Sequence, residues 1–214
     1  PRGGRPSGGL GASRRGRPVW LMTESDLVAA LRPVADALDA LGVRYYLAGS
    51  VASSAHGMAR ASLDADVVAA LEPAHVDPLV KRLLSQYYIP VQRLHTAAAI
   101  RSSCNLIHLA TMFKIDVFVS KSRPFDLEAA KRAHPQALDE GPDAPRFPVA
   151  SAEDTVLAKL EWFRLGGETS ERQWWDVVGI LKVDEAADRA YLRYWADALG
   201  VADLLARALA DALE

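Results

Sequence analysis

The chain has 214 residues, half of them hydrophobic and 24% charged, which suits one globular domain or one domain with a small appendage. No apolar run approaches the ~20 residues that cross a bilayer, and no apolar stretch of a secretory signal follows the basic start. A single cysteine, Cys104, excludes an internal disulfide and fits a reducing, cytoplasmic setting.

The chain opens on five arginines (Arg2, Arg5, Arg14, Arg15 and Arg17) with no acid among residues 1–18. Gly, Pro, Ser and Arg at this density bury no core, so residues 1–21 are expected to be a disordered basic head, and Met22 with Thr23-Glu24-Ser25-Asp26 looks like a natural start. Taking those five from the 25 basic residues leaves 20 against 27 acids. The folded body is therefore acidic, a poor basis for general nucleic-acid binding.

Thr23 and Asp26 form a helix-start signature, and Leu27, Leu31, Val34, Leu38 and Leu41 recur at helical spacing up to Gly42. Val43–Leu47 reads as a buried strand, Ala48-Gly49-Ser50 as a tight turn, Val51–His56 as a helix and Gly57–Ser62 as a loop. Leu63–Leu71 reads as a strand, Pro73–Leu84 as a helix with Val76, Leu79, Val80 and Leu83 inward, and Tyr88–Leu94 as a strand. Asn105–Ala110 and Phe113–Val119 are expected to form a hairpin through a tight Thr111-Met112 turn. Asp126–Ala133 is a short helix and 134–148 a loop rich in proline and charge. From Ser151, which caps with Asp154, the pattern turns helical, with Val156, Leu157, Leu160 and Phe163 on one face and a break at Gly166-Gly167. Residues 170–182, 185–199 and 201–213 read as three further helices. The expected organisation is an α/β core over 22–149 followed by a helical region over 150–214.

Three acids stand out by position. Asp64 and Asp66 lie two apart in a strand and so project from one face. Asp116 sits inside Phe113-Lys114-Ile115-Asp116-Val117-Phe118-Val119, where a carboxylate is costly unless it is paired or bound to a metal. If the two strands are neighbours, three carboxylates converge and repel, and a divalent cation removes that penalty; magnesium prefers such oxygen ligands. Upstream, Gly49-Ser50 lies between strand and helix, where glycine permits close backbone approach and helix-start N–H groups favour phosphate. A metal-bound triphosphate matches both features.

Thirteen residues separate Ser50 from Asp64, and Gly49-Ser50 with Leu63-Asp64-Ala65-Asp66-Val67 resembles the signature of the polymerase-beta-like nucleotidyltransferase superfamily. Lys114-Ile115-Asp116-Val117 looks like that superfamily's third-carboxylate strand. The stretch from Tyr46-Leu47-Ala48-Gly49-Ser50 through Gly57, Arg60 and Ser62 to Asp64 is similar to its minimal AbiEii-type branch, known from toxin–antitoxin systems. In that branch a later helical segment often carries a lysine and an aspartate, and Lys159 and Asp176 look like those positions.

The resemblance covers roughly residues 43–182. It implies an α/β (α+β) fold with a small mixed β-sheet core, flanking helices and a helical C-terminal half. It further implies two magnesium ions on Asp64, Asp66 and Asp116, with nucleotide contacts from Gly49, Ser50, Arg60 and Lys159. The expected reaction moves a nucleoside monophosphate from a triphosphate (ATP or another) to RNA, a protein or a small molecule, in a toxin, an antitoxin or a standalone enzyme. The alternative is a catalytically inactive nucleotide- or partner-binding module of the same fold.

Other residues carry two readings each. Arg60 reaches a phosphate or is merely solvated. Lys159 contacts the triphosphate or snorkels. Asp176 orients Lys159 or a metal-bound water, or is a solvated helix acid. Trp162, Trp174 and Trp175 read as core before they read as base-stacking residues. His56, His95 and His108 form no metal-ligand spacing with Cys104, and His108 is expected at the sheet or the site rim. Lys121–Arg123 reads as a solvated basic turn, or as a contact for a phosphorylated or nucleic-acid acceptor.

Overall fold

The computed structural model describes residues 24–58, 62, 64–139, 144–184 and 186–213. The expected basic head and Arg60 lie outside the described residues. In chain order the elements are α1 (Glu24–Ala40), β1 (Tyr45–Ala48), α2 (Gly49–Ala55), β2 (Asp64–Ala69), α3 (Pro73–Leu83), β3 (Tyr87–Tyr88), α4 (Val91–Ile100), β4 (Ser103–His108) and β5 (Lys114–Val119). They continue with α5 (Pro124–Arg132), β6 (His134–Ala137), β7 (Arg146–Val149), α6 (Ala152–Leu165), α7 (Glu171–Val183), α8 (Arg189–Ala198) and α9 (Ala202–Asp211).

The strands form one mixed sheet in the order β3-β4-β5-β2-β1-β7-β6. At its centre β2 runs parallel to β5 and antiparallel to β1, while β4 runs antiparallel to β5. Side chains alternate across such a sheet, and here the two faces differ in kind. Leu47, Ala65, Val67, Ala69, Leu106, Ile115, Val117 and Val119 are buried on one face, in an apolar cluster shared with Leu31, Val34 and Leu38 of α1, Leu79 and Leu83 of α3, and Leu94 and Ala97 of α4. The opposite face carries Asp64, Asp66 and Val68 of β2 and Lys114, Asp116 and Phe118 of β5, all only partly buried.

A second apolar cluster joins α6, α7, α8 and α9 with Phe125 of α5. Its helices start where the sequence supplies caps: Ser151 accepts from the Asp154 N–H, Ser170 from Gln173, and Asp188 from Ala190 and Tyr191. The short helix α2 lies between the two clusters and packs on both β2 and α6.

Three expectations need correction. Residues 88–94 are not a strand: β3 ends at Tyr88, Pro90 caps α4, and Leu94, Ala97 and Ala98 pack at helical spacing. Strands β4 and β5 are joined not by a two-residue turn but by residues 109–113, closed by Met112 N–H to His108 O and His108 N–H to Phe113 O. The 134–148 stretch is not all loop, because β6 and β7 pair antiparallel within it. Pro135 and Pro148 masked that hairpin, and a proline is tolerated where the ladder does not need its N–H.

Candidate active site

The register places the expected acids side by side. Asp66 pairs directly with Asp116 across β2 and β5, and Asp64 pairs with Lys114. On the other side Asp66 faces Ala48, the last residue of β1. The chain leaves β1 through Gly49 at φ +57°, a left-handed conformation that glycine adopts freely. A Cβ there would lie 1.6 Å from Asp66 Oδ2, so only glycine lets the turn rest on the Asp66 carboxylate.

Asp66 feels this crowding. Burial pushes its carboxyl from 3.8 up to about 6, and the charges of Asp64 and Asp116 push the same way against Lys159 and Lys114. Asp116 holds Lys114 Nζ on Oδ2 at 2.8 Å, while its buried Oδ1 has no hydrogen-bond partner among the described residues. Lys114 Nζ also lies 3.3 Å from Asp64 Oδ2, so one ammonium bridges two of the three acids.

Ser50 is buried, and its hydroxyl meets Ser62 Oγ at 2.7 Å; Ser62 in turn donates to Asp64 O at 2.8 Å and is 3.0 Å from Asp64 Oδ1. The serine pair thus ties the Gly49 turn to the start of β2. Lys159 on α6 and Asp176 on α7 are both buried and joined at 2.8 Å, and the Lys159 charge reaches Asp66. Neither is the solvated residue that a helix position alone suggests.

A cleft of about 730 Å³ opens between the acid-bearing sheet face and helices α5, α6 and α7. Gly49, Ser50, Asp66, Lys159 and Asp176 line one part, and Tyr46, Val68, Phe118, Trp162 and Leu165 line an apolar part. Trp162 is half exposed and meets Phe118 edge-on, whereas Trp174 is core and Trp175 is exposed outside the residues lining the cleft. Arg123 is not a solvated turn residue: it bridges Asp126 and Glu161 at the cleft wall. His108 faces away from the acids, buried on the helix-covered side against the Tyr87 ring.

Sequence reasoning gave Lys114 and Ser62 no role. Their signals were present: Lys114 precedes Asp116 by two in a strand, and Ser62 precedes Asp64 by two. Position two apart identifies a shared face, but the partner of such a side chain depends on the neighbouring strand.

Among the described residues no three His, Cys, Asp or Glu side chains form a ready-made metal cage. The chemistry nevertheless fits a divalent cation: the donors are all carboxylate oxygens, one buried oxygen has no partner among the described residues, and a cation already sits between Asp64 and Asp116. Asp64, Asp66 and Asp116 are the residues that would hold it.

This architecture is the nucleotidyltransferase fold. The solution structure of the antibiotic-resistance factor ANT(2'')-Ia superposes with a TM-score of 0.54, at 11% identity, over 88% of this chain and 96% of that one. A crystal structure of ANT(2'')-Ia in complex with adenylyl-2''-tobramycin gives 0.54 at 9% identity, over 81% and 97%. An antigenic nucleotidyltransferase-like protein from Paracoccidioides brasiliensis gives 0.50 at 18% identity, over 87% and 93%. No protein-family model matches the sequence, and no curated protein does. Among the described residues no helix is long and apolar enough to cross a membrane.

Proposed function

We propose that this protein is a magnesium-dependent nucleotidyltransferase that moves a nucleoside monophosphate from a triphosphate to an acceptor hydroxyl. The observation that carries the reading is the registered pair Asp66–Asp116 on adjacent parallel strands, with Gly49 packed directly on the Asp66 carboxylate. Magnesium held by Asp64, Asp66 and Asp116, as two ions by the family resemblance, would supply charge neutralisation for the triphosphate and for the attacking oxygen.

The chain's own groups do the rest. The backbone at Gly49–Ser50 approaches the phosphates, with the turn held by the Ser50–Ser62 hydroxyl pair. Lys159, fixed by Asp176, adds a positive charge facing Asp66. The acceptor oxygen attacks the α-phosphorus in line, the bond to the pyrophosphate oxygen breaks, and the acceptor proton passes to Asp116. Retention of all three acids argues for an active enzyme over the binding-module alternative. The AbiEii-type, toxin–antitoxin reading rests on the Tyr46–Asp64 stretch with Lys159 and Asp176; it leaves RNA, protein and small molecules as acceptor classes, and the single cysteine supports a cytoplasmic site of action.

The test is label transfer. The full chain is incubated with magnesium and each α-labelled nucleoside triphosphate, with cellular RNA, lysate protein or small amino sugars added in parallel. Label should move to one acceptor class and be lost in Asp64→Ala/Asp66→Ala. Absence of transfer to all three classes, with no magnesium-dependent nucleotide binding, would overturn the proposal.

A further inference from the structure

We infer that Lys114 is a built-in cation that holds the carboxylates together before metal arrives, and that a divalent ion must displace it to bind. The inference rests on the nucleotidyltransferase reading and adds a residue to its site.

Lys114 and Asp116 lie two apart on β5 and project from the same face, and Lys114 pairs in register with Asp64 on β2. Its ammonium therefore lies over the gap between the strands, 2.8 Å from Asp116 Oδ2 and 3.3 Å from Asp64 Oδ2. Asp64, Asp66 and Asp116 would otherwise place three like charges on neighbouring positions of two strands, with Asp66 directly opposite Asp116. One positive charge between two of them offsets part of that repulsion.

The same placement obstructs a metal. Magnesium needs oxygens at about 2.0–2.1 Å in near-octahedral geometry. An ammonium donating to the same Asp116 and Asp64 oxygens competes for their lone pairs and repels the incoming ion. Displacement is feasible because the Lys114 side chain reaches solvent: it is 40% exposed, whereas that of Asp116 is 16% exposed. The lysine has a four-carbon stem and can turn outward without moving β5. Asp116 Oδ1, buried and unpartnered among the described residues, is the oxygen that the lysine leaves unused.

Lys114 differs from a purely structural ion pair in what its removal does. Removing a structural partner lowers stability and leaves metal affinity unchanged or weaker. Removing a competing cation lowers stability without metal and strengthens metal binding.

The experiment measures metal-free thermal stability and manganese affinity, the latter by calorimetry and by the manganese electron-spin signal, for the wild-type chain, Lys114→Gln and Lys114→Arg. Breaking charge-assisted bonds of this kind should tighten manganese binding about tenfold in Lys114→Gln, with a lower metal-free melting temperature. Lys114→Arg, which keeps a cation there, should remain near wild type in both. If wild type binds manganese and Lys114→Gln binds it equally or more weakly while Lys114→Arg is folded, the displacement idea is overturned and the nucleotidyltransferase reading stands. If neither wild type nor Lys114→Gln binds manganese, with or without a nucleoside triphosphate, both fall together.

Discussion

Replacing Asp66 by asparagine should stabilise the metal-free protein while destroying the proposed metal site. Burial, then the charges of Asp64 and Asp116, holds the Asp66 carboxyl at about 6 in place of 3.8. That displacement corresponds to roughly 3 kcal/mol of unfavourable free energy for the ionised form in the fold. Because the folded value is the higher one, folded and unfolded chains both carry the proton below about pH 4, and no penalty exists there. As pH rises through about 4 to 6 the unfolded chain releases its proton first, so folding loses stability, and the full penalty is present above about pH 6. Asparagine keeps the shape beside Gly49 and carries no charge. At about 2–4 °C per kcal/mol for a chain of this size, Asp66→Asn should raise the melting temperature at pH 8 in chelator by up to ~6–12 °C. At pH 4 the two proteins should melt together. With saturating magnesium the order should narrow or reverse, since only wild type gains from ligand binding. The assay is calorimetry across pH with and without magnesium. A lower melting temperature for Asp66→Asn at pH 8 in chelator, or an equal gain at pH 4, would refute the reasoning.

The same ionisation should govern metal affinity: magnesium binding, followed by calorimetry, should weaken as pH falls through about 6, because Asp66 must lose its proton to act as a ligand. Gly49→Ala should cost at least about 1–2 kcal/mol in urea unfolding from its left-handed backbone alone, with further loss as its Cβ displaces the Asp66 carboxylate, and transfer should vanish. Lys159→Met should cost roughly 1.5–3 kcal/mol by removing the charged hydrogen bond to buried Asp176, and should weaken nucleotide binding in the fraction that folds. Tyr191→Phe, which removes a 2.6 Å bond to buried Asp154, should cost about 1.5–3 kcal/mol with little change in nucleotide affinity.

The acids were legible because a strand's two-residue period is simple and their apolar flanks are strong. Asp64, Asp66 and Asp116 reached one face as their spacing required, and the neighbour relation of β2 and β5 turned a conditional expectation into a registered pair. The amphipathic helices were legible for a related reason: Leu31, Val34 and Leu38 repeat with the helix period and all three are buried. Helix α4 was hidden because residues 88–94 are a short, largely apolar run with no clear period of either kind, and only the longer span to Ala98 exposes the helical one. The β6–β7 hairpin was hidden because β6 is mostly exposed and carries Pro135, so neither burial nor propensity marks it. Partnerships across elements were the least legible. Lys114 with Asp64, Lys159 with Asp176 and Arg123 with Glu161 are separated by 17 or more positions in the chain. Each depends on packing that no local window contains.

The most direct test of the central claim is a manganese-soaked crystal with a non-hydrolysable nucleoside triphosphate, measured at the manganese absorption edge. The account predicts anomalous density within coordination distance of Asp64, Asp66 and Asp116, with the triphosphate against Gly49–Ser50 and Lys114 turned away from the carboxylates. Ordered triphosphate elsewhere, or saturating manganese with no density beside Asp66 and Asp116, would contradict it.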